Sequence, residues 1–260
     1  MPESSLTAAY KDLTGDVGFF LGWGRGEDNG ETAWTAAQAA AVARCVKGGL
    51  RNFYFCGHEW SFLHPMASLT LASGESTVEL PDDFGGVEGQ LTITTSSGAQ
   101  WWPLHFGGVG EVYHAQAISP DATGRPQACC VEPVKGTTGT QGNRFRLRFW
   151  PEADAAYTLR FRYYVHPDYL SGAFPFAYGG PQHAETILES CLAVAEKILD
   201  DAATVHAGEF AQRLEVSKEL DRRMKPQHLG YNRDLSDCRD RRFAGEWRSW
   251  SRVTVNGVEY

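Results

Sequence analysis

The sequence predicts an α+β fold: a helical bundle from N- and C-terminal helices, an inserted antiparallel β-sheet or sandwich domain, and an extended C-terminal arm. Three observations predict it. Apolar residues recur at helical spacing towards both ends, in "TAAQAAAVARCVKGGL" and "HAETILESCLAVAEKILDD". Between them the pattern switches to alternation, as in "NRFRLRFW" and "AYTLRFRYYV". After Pro226 periodicity fades and charges crowd together. The expected division is residues 1–65 and 168–226 for the bundle, 66–167 for the β domain and 227–260 for the arm.

Within the first helical part, "LTAAYKDLTGDVGFFLG" places Leu6, Tyr10 and Leu13 on one face of a short helix. "GWGRGEDNGE" reads as a loop. The next helix starts at Thr35, with Gln38 three residues on, the pattern of a capping box. Val42, Cys45, Val46 and Gly49 fall at i, i+3, i+4, i+7 and form its apolar stripe, and Gly48 and Gly49 are expected to end it. "FYFCGHEWSFLHP", from Phe53 to Pro65, follows as an aromatic elbow leading into the sheet.

The alternating middle runs from about Leu69 to Val165. Its connections, among them the turns "KGTTGTQGN" and "WPEADA", are too short for parallel crossovers, so an antiparallel arrangement is expected. Adjacent Cys129 and Cys130 should point to opposite faces of a strand. The chain then returns to helix near Pro181, with Ile187, Cys191, Val194 and Ile198 as a stripe widened by Leu188, Leu192, Ala195 and Leu199. A last helix takes Phe210, Leu214 and Leu220 into the core and must stop before Pro226. The terminal "RVTVNGVEY" is strand-like.

Composition narrows the function. The 260 residues are 42% apolar and include eight Trp, enough for a substantial core. No run of about eighteen apolar residues exists, and "MPESSLTAAYKDL" has no basic-then-apolar pattern, so a protein of the cytosol, or of an assembly built there, is expected. Six Cys without a CxxC argue against a disulfide scaffold or a paired-Cys zinc site. The net charge is −8, yet the stretch from Arg213 onward is net basic: an acidic body with a basic end suited to docking on an acidic surface.

The search for chemistry yields little. Cys56, His58, Glu59 and His64 lie close together, but His64 stands six positions after His58, which fits neither a helical metal motif nor strand alternation. "GWGRGEDNG" lacks the ending of a phosphate loop. Asp82 and Asp83 read as a turn. His183, Glu185, Glu189, Glu196 and Asp200 lack Glu-x-x-His spacing and read as solvated charges. No Gly-x-Ser-x-Gly elbow occurs. The expectation is a protein that is not an enzyme and needs no cofactor or metal. In the arm, Arg239, Arg241, Arg242, Phe243, Trp247, Arg248, Trp250 and Arg252 mix Arg with aromatics, which suits a protein interface better than nucleic acid on so acidic a chain. Trp101, Trp102 and Trp150 are either sugar platforms or aromatics near sheet ends, and the latter is favoured.

The order of several pieces resembles a tailed-phage head-to-tail adaptor (connector) protein, of the class that includes the tail tubular protein A adaptors. The pieces are "AAQAAAVARCVKGGLRNFYF" followed by "EWSFLHP", then "VELPDDFGG", then "RFWPEADAAYTLRFRYYVHPDYL", then "HAETILESCLAVAEKILD". The resemblance spans roughly residues 5 to 225. It implies a structural virion protein, assembled in the host cytoplasm, that forms a ring beneath the portal, about twelve-fold. It also implies a channel extended for the passing viral DNA, a platform for a downstream tail or nozzle protein, and a C-terminal arm reaching the portal. The alternative reading is a tail-associated β-sandwich module that binds carbohydrate or a receptor.

Overall fold

The computed structural model describes residues 4–95, 101–134, 144–200 and 205–224, together with the backbone of residues 254–255 and 258–259. The chain forms two units, Met1–Met224 and Lys225–Tyr260. The first is α+β, with its N- and C-terminal helices packed together and β-sheets inserted between them.

Helix α1 spans Tyr10–Phe20 and buries Leu13 and Val17. Leu6, expected on its inner face, lies ahead of the helix and is 76% exposed. The cause is a backbone clamp. Tyr10 donates its N–H to Pro175 O (2.6 Å) and Ala177 donates to Ala8 O (3.1 Å), so residues 8 and 9 pair with the distant segment around Phe176, as an isolated bridge, instead of coiling. The following loop contains a short 3-10 turn, Glu27–Asn29.

Helix α2 spans Ala36–Tyr54 and begins with the expected capping box: Gln38 N–H donates to Thr35 Oγ1 (3.3 Å) and Thr35 N–H to Gln38 Oε1 (2.9 Å). Val42, Cys45, Val46 and Gly49 are all buried. The expected stop at Gly48 and Gly49 does not occur. These glycines are packing residues: a Cβ on Gly49 would lie 2.6 Å from Cys191 N and Cα, and one on Gly48 would lie 3.1 Å from Val194 Cγ1. The missing side chains let two helices meet.

Between Met66 and Val165 lie, in order, β1 (Met66–Leu71), β2 (Thr77–Glu79), β3 (Phe84–Thr95), β4 (Trp101–Pro103) and β5 (His105–Phe106). Helix α3 (Val109–Ile118) follows, then β6 (Thr123–Gly124), β7 (Ala128–Val134), β8 (Arg144–Trp150), β9 (Glu152–Ala153) and β10 (Tyr157–Val165). Two four-stranded sheets result, ordered β1-β10-β3-β4 and β2-β8-β7-β5. Their pairs are antiparallel except β5–β7, and β6–β9 is a second parallel pair. The expectation that the connections exclude parallel crossovers therefore fails at residues 107–127. That connection is long enough to hold α3, which alternation did not announce. The "WPEADA" stretch links β8 and β10, which belong to different sheets.

The sheets share one core with the helices. Leu71, Leu91, Ile93 and Leu159 of the first sheet and Leu147 and Phe149 of the second belong to the same buried cluster as Val17, Val46 and Ile187. The Phe84 and Phe145 rings meet between the sheets at 5.6 Å. Cys129 joins that core, while Cys130 is buried without being part of it. On the α3 side, Glu132 accepts from Tyr113 Oη (2.9 Å), Arg146 and Arg148. Burial pushes the Cys129 thiol up to about 12, so it stays a neutral apolar group. Burial also pushes the Glu132 pKa up, but hydrogen bonds from Arg148, Arg146 and Tyr113 outweigh it and hold the carboxyl below its ordinary value.

A 3-10 turn at Pro181–His183 leads into α4 (Ala184–Asp200), and α5 (Val205–Met224) packs against it. Ile187, Cys191 and Ala195 are buried as expected. Ile198 and Leu199 are not: they are 45% and 54% exposed. Across from Ile198 stand Ala40 and Ala43 of α2, too short to cover it. In α5 the expected core residues Phe210, Leu214 and Leu220 are only half-buried, and the buried positions are Ser217 and Asp221. The charges of α4 also depart from expectation. His183 and Glu196 are buried, Glu189 pairs with His206 (2.8 Å), and Glu196 accepts the Val205 N–H (3.0 Å). Helix α5 supplies these partners, so they lie beyond the reach of the period of α4. Glu185 does stay exposed, and the Asp200 side chain lies outside the described residues.

In the second unit, β11 (Thr254–Val255) pairs antiparallel with β12 (Val258–Glu259). No described helix is long and apolar enough to cross a membrane.

Candidate docking surfaces

The elbow from Phe53 to Pro65 is the junction of the fold. Trp60 is fully buried, its ring 4.6 Å from Phe53 and 5.3 Å from His183, and it donates Nε1–H to Phe53 O (3.3 Å). His58 Nε2 lies 2.8 Å from Asp221 Oδ2. Asp221 Oδ1 accepts from Ser61 N–H (3.0 Å) and Ser61 Oγ (2.5 Å). One buried carboxylate thus ties α5, the last described helix of its unit, to the elbow, and a Thr186–Ser217 hydroxyl contact of 2.7 Å ties α5 to α4. His64 turns elsewhere, 2.7 Å from Glu88. Cys56, His58 and His64 therefore do not converge, and no group of three His, Cys, Asp or Glu among the described residues could hold a metal ion.

His183 is fully buried, and its Nδ1 has no hydrogen-bond partner among the described residues. Burial pushes its pKa below the ordinary histidine value, against an opposing pull from Asp221. The unfolded chain takes up this proton more readily than the folded one. Stability is therefore lost as pH falls from about 6.5 towards the folded value, and is restored as pH rises. His183→Gln, whatever it costs in Tm at pH 8, is expected to show a smaller fall in Tm between pH 7.5 and pH 5.5 than the unsubstituted protein. Parallel pH profiles would refute this assignment.

The outer surface carries two features outside the apolar stripes and alternating strands. Residues 168–178 expose Tyr169, Phe174, Phe176 and Tyr178 beside a groove of about 440 Å³, also lined by Asp82, Asp83 and Asp168. No heptad or alternation signals this segment, because it is irregular backbone. The second feature is a basic flank on α2, where exposed Arg44, Lys47 and Arg51 recur at i, i+3, i+7. That signal was present as the polar side of the same helical period. Lys47 also sits 4.0 Å over the Tyr169 ring.

Asp82 pairs with Arg144 (3.0 Å), and Asp83 accepts from Tyr163 Oη (3.3 Å), roles that suit a structural turn. The Trp101 and Trp102 rings each have one face occupied by a guanidinium, Arg160 at 4.5 Å and Arg125 at 4.7 Å. Trp150 Nε1–H points at Ser119 O, 3.5 Å away. These rings pack with cations and backbone, an arrangement unlike a row of open stacking faces.

The arm residues Arg239, Arg241, Arg242, Phe243, Trp247, Arg248, Trp250 and Arg252 lie outside the described residues. Among curated proteins no match is found. A family model does match: that of the SU10 adaptor protein, over residues 4–230.

Proposed function

Because the chain belongs to the SU10 adaptor protein family, a family of phage head-to-tail adaptors, we propose that it works as a ring beneath the portal, extends the DNA channel and receives the next tail component. The observation that carries this reading is the reach of the family match, which takes in both helical parts and the inserted sheets. The family is structural and not known as enzymatic, and its adaptor role implies binding to portal and tail components.

The arm, residues 227–260, is assigned in this reading to the portal. Its Arg and Trp residues between 239 and 252 are the types that most often anchor protein interfaces, and the net basic charge after Arg213 would favour an acidic surface. The helical bundle and its flanks would then meet neighbouring copies.

Light scattering on the protein alone and after mixing with the portal of the same genome tests this. A ring, or a monomer that joins the portal in the portal's own stoichiometry, is the expected result. A species indifferent to the portal would sink the reading. Removing the residues after Pro226 should abolish portal binding while circular dichroism of the remaining unit stays unchanged. Undiminished binding would remove the arm from the interface.

A further inference from the structure

We propose that the groove between α2 and α4 is the seat for helix α1 of a neighbouring copy, and so the main contact of the ring; this rests on the adaptor reading above. The groove encloses about 820 Å³. Its floor is low, with Ala40, Ala43 and Gly48 on the α2 side, and Val194 and the exposed Ile198 on the α4 side. Its rim carries Arg44, Lys47, Arg51 and Lys197, and no carboxylate lines it among the described residues. None of these four cations forms an ion pair among the described residues. Small residues let a second helix approach to about 8 Å between axes, and four cations around an apolar floor select a partner that is acidic and amphipathic.

The chain carries such a helix. On α1 the buried residues Leu13 and Val17 define the inner face. Asp12, Asp16 and Phe19, at i, i+4, i+7, share the outer one. Phe19 is 66% exposed, and Asp12 forms no ion pair among the described residues. Among the described residues Asp16 pairs only with exposed Arg25 (3.1 Å), whose guanidinium also lies 5.9 Å from the centre of the Phe19 ring and must swing aside when a neighbour docks. Asp12 and Asp16 are four residues apart, as are Lys47 and Arg51. Each pair spans about 6 Å of helix axis, so two ion pairs can form in one register while Phe19 meets the apolar floor.

The two surfaces lie on different sides of the protomer. The groove residues Ala40, Ala43, Lys47 and Arg51 occupy the side of α2 away from its buried stripe Val42, Val46 and Phe53, with which Leu13 and Val17 of α1 share the core. A contact between unlike surfaces on different sides is head-to-tail, and it generates a ring or a filament, not a closed pair. A cationic stripe could instead take nucleic acid phosphates. The apolar floor and the chain's net charge of −8 favour a protein surface.

The test is charge reversal in the full chain, read by sedimentation at low salt, where such pairs are least screened. Arg44→Glu with Lys47→Glu makes the groove acidic, and Asp12→Lys with Asp16→Lys makes α1 basic. All four positions are on the surface, so unchanged circular dichroism serves as the folding control. Each double variant alone is expected to lose self-association by at least about tenfold. An equimolar mixture should regain it, because each groove then meets an oppositely charged helix. Failure of the mixture to recover, wild-type self-association unmoved by either reversal, or no wild-type association at any accessible concentration would each overturn the proposal. So would loss of duplex DNA binding by the groove variant with self-association intact, which would assign the groove to DNA. Portal co-sedimentation, run in parallel, separates this proposal from the adaptor reading: portal binding at ring stoichiometry with no effect of the reversals would sink only the groove contact.

Discussion

Gly49→Val is expected to be among the most damaging single changes in the protein, costing about 3 kcal/mol. A Cβ at that position would lie 2.6 Å from Cys191 N, Cα and Sγ. Two of those atoms are backbone, so no rotamer change can relieve the clash, and α2 and α4 must move apart. Separation opens the core shared by Cys45, Val46, Ile187 and Cys191, and it pulls Ser190 Oγ away from Gly49 O, where it now donates across 2.7 Å. For a unit of this size about 3 kcal/mol corresponds to a fall in Tm of roughly 6–12 °C. Gly48→Ala is the control. Its Cβ meets only the Val194 side chain, at 3.1 Å, and alanine favours helix over glycine by about 1 kcal/mol, so a small net change is expected. Thermal melts of the two variants decide the matter, and equal Tm values would mean that Gly49 is not the contact point of these helices. Because the same two helices form the basic groove, Gly49→Val should also impair assembly at temperatures where the fold survives.

Asp221→Ala is the second large effect, and it acts on the attachment of α5. The carboxylate has no exposed surface and holds His58 Nε2, the Ser61 amide and the Ser61 hydroxyl. Removing it leaves those groups without their partner inside the protein, a cost of about 3 kcal/mol. Asp221→Asn keeps an acceptor for Ser61 but loses the negative charge beside His58, and should fall between the two. The readout is hydrogen exchange. Amides of α5 are expected to lose protection ahead of those in α2 and α4, because its apolar residues Phe210, Leu214 and Leu220 are only half-buried and its other ties are polar contacts such as those to Thr186, Glu189 and Glu196 of α4. Uniform loss across all three helices would instead mean that the elbow contact stabilises the whole unit. In the adaptor reading the arm leaves from the end of α5, so a loosened α5 should weaken portal binding with the arm sequence intact.

These residues mark the limits of the sequence. The start of α2 was legible because its determinants, Thr35 and Gln38, are three residues apart and satisfy each other's backbone donors. The end of α2 was not, because Gly49 is a contact with a residue far along the chain, and a glycine needed for close packing looks the same in sequence as one that ends a helix. The strand segments were legible from alternation. Their division into two sheets was not, since alternation says which residues face inward but names no partner strand. The charges of α4 were misjudged for the same reason: nothing within that helix reveals that His206 and the Val205 amide will come to Glu189 and Glu196. Of the candidate docking surfaces, the arm stays an expectation from composition, its residues lying outside the described ones, and the basic flank of α2 was present as the polar half of a helical period. That Asp12 and Phe19 of α1 stay uncovered could not be read from sequence, because it depends on what packs against that helix.

By itself, then, the sequence determined what depends on neighbours within a few residues: where helices begin, which face of each is apolar, where strands alternate, and an order of elements that points to the adaptor family. Tertiary structure alone decided which polar side chains are buried, which glycines are contacts, and where the α2–α4 groove lies relative to α1. Those outcomes depend on what covers a surface, and the covering element comes from elsewhere in the chain, beyond the range of any local period.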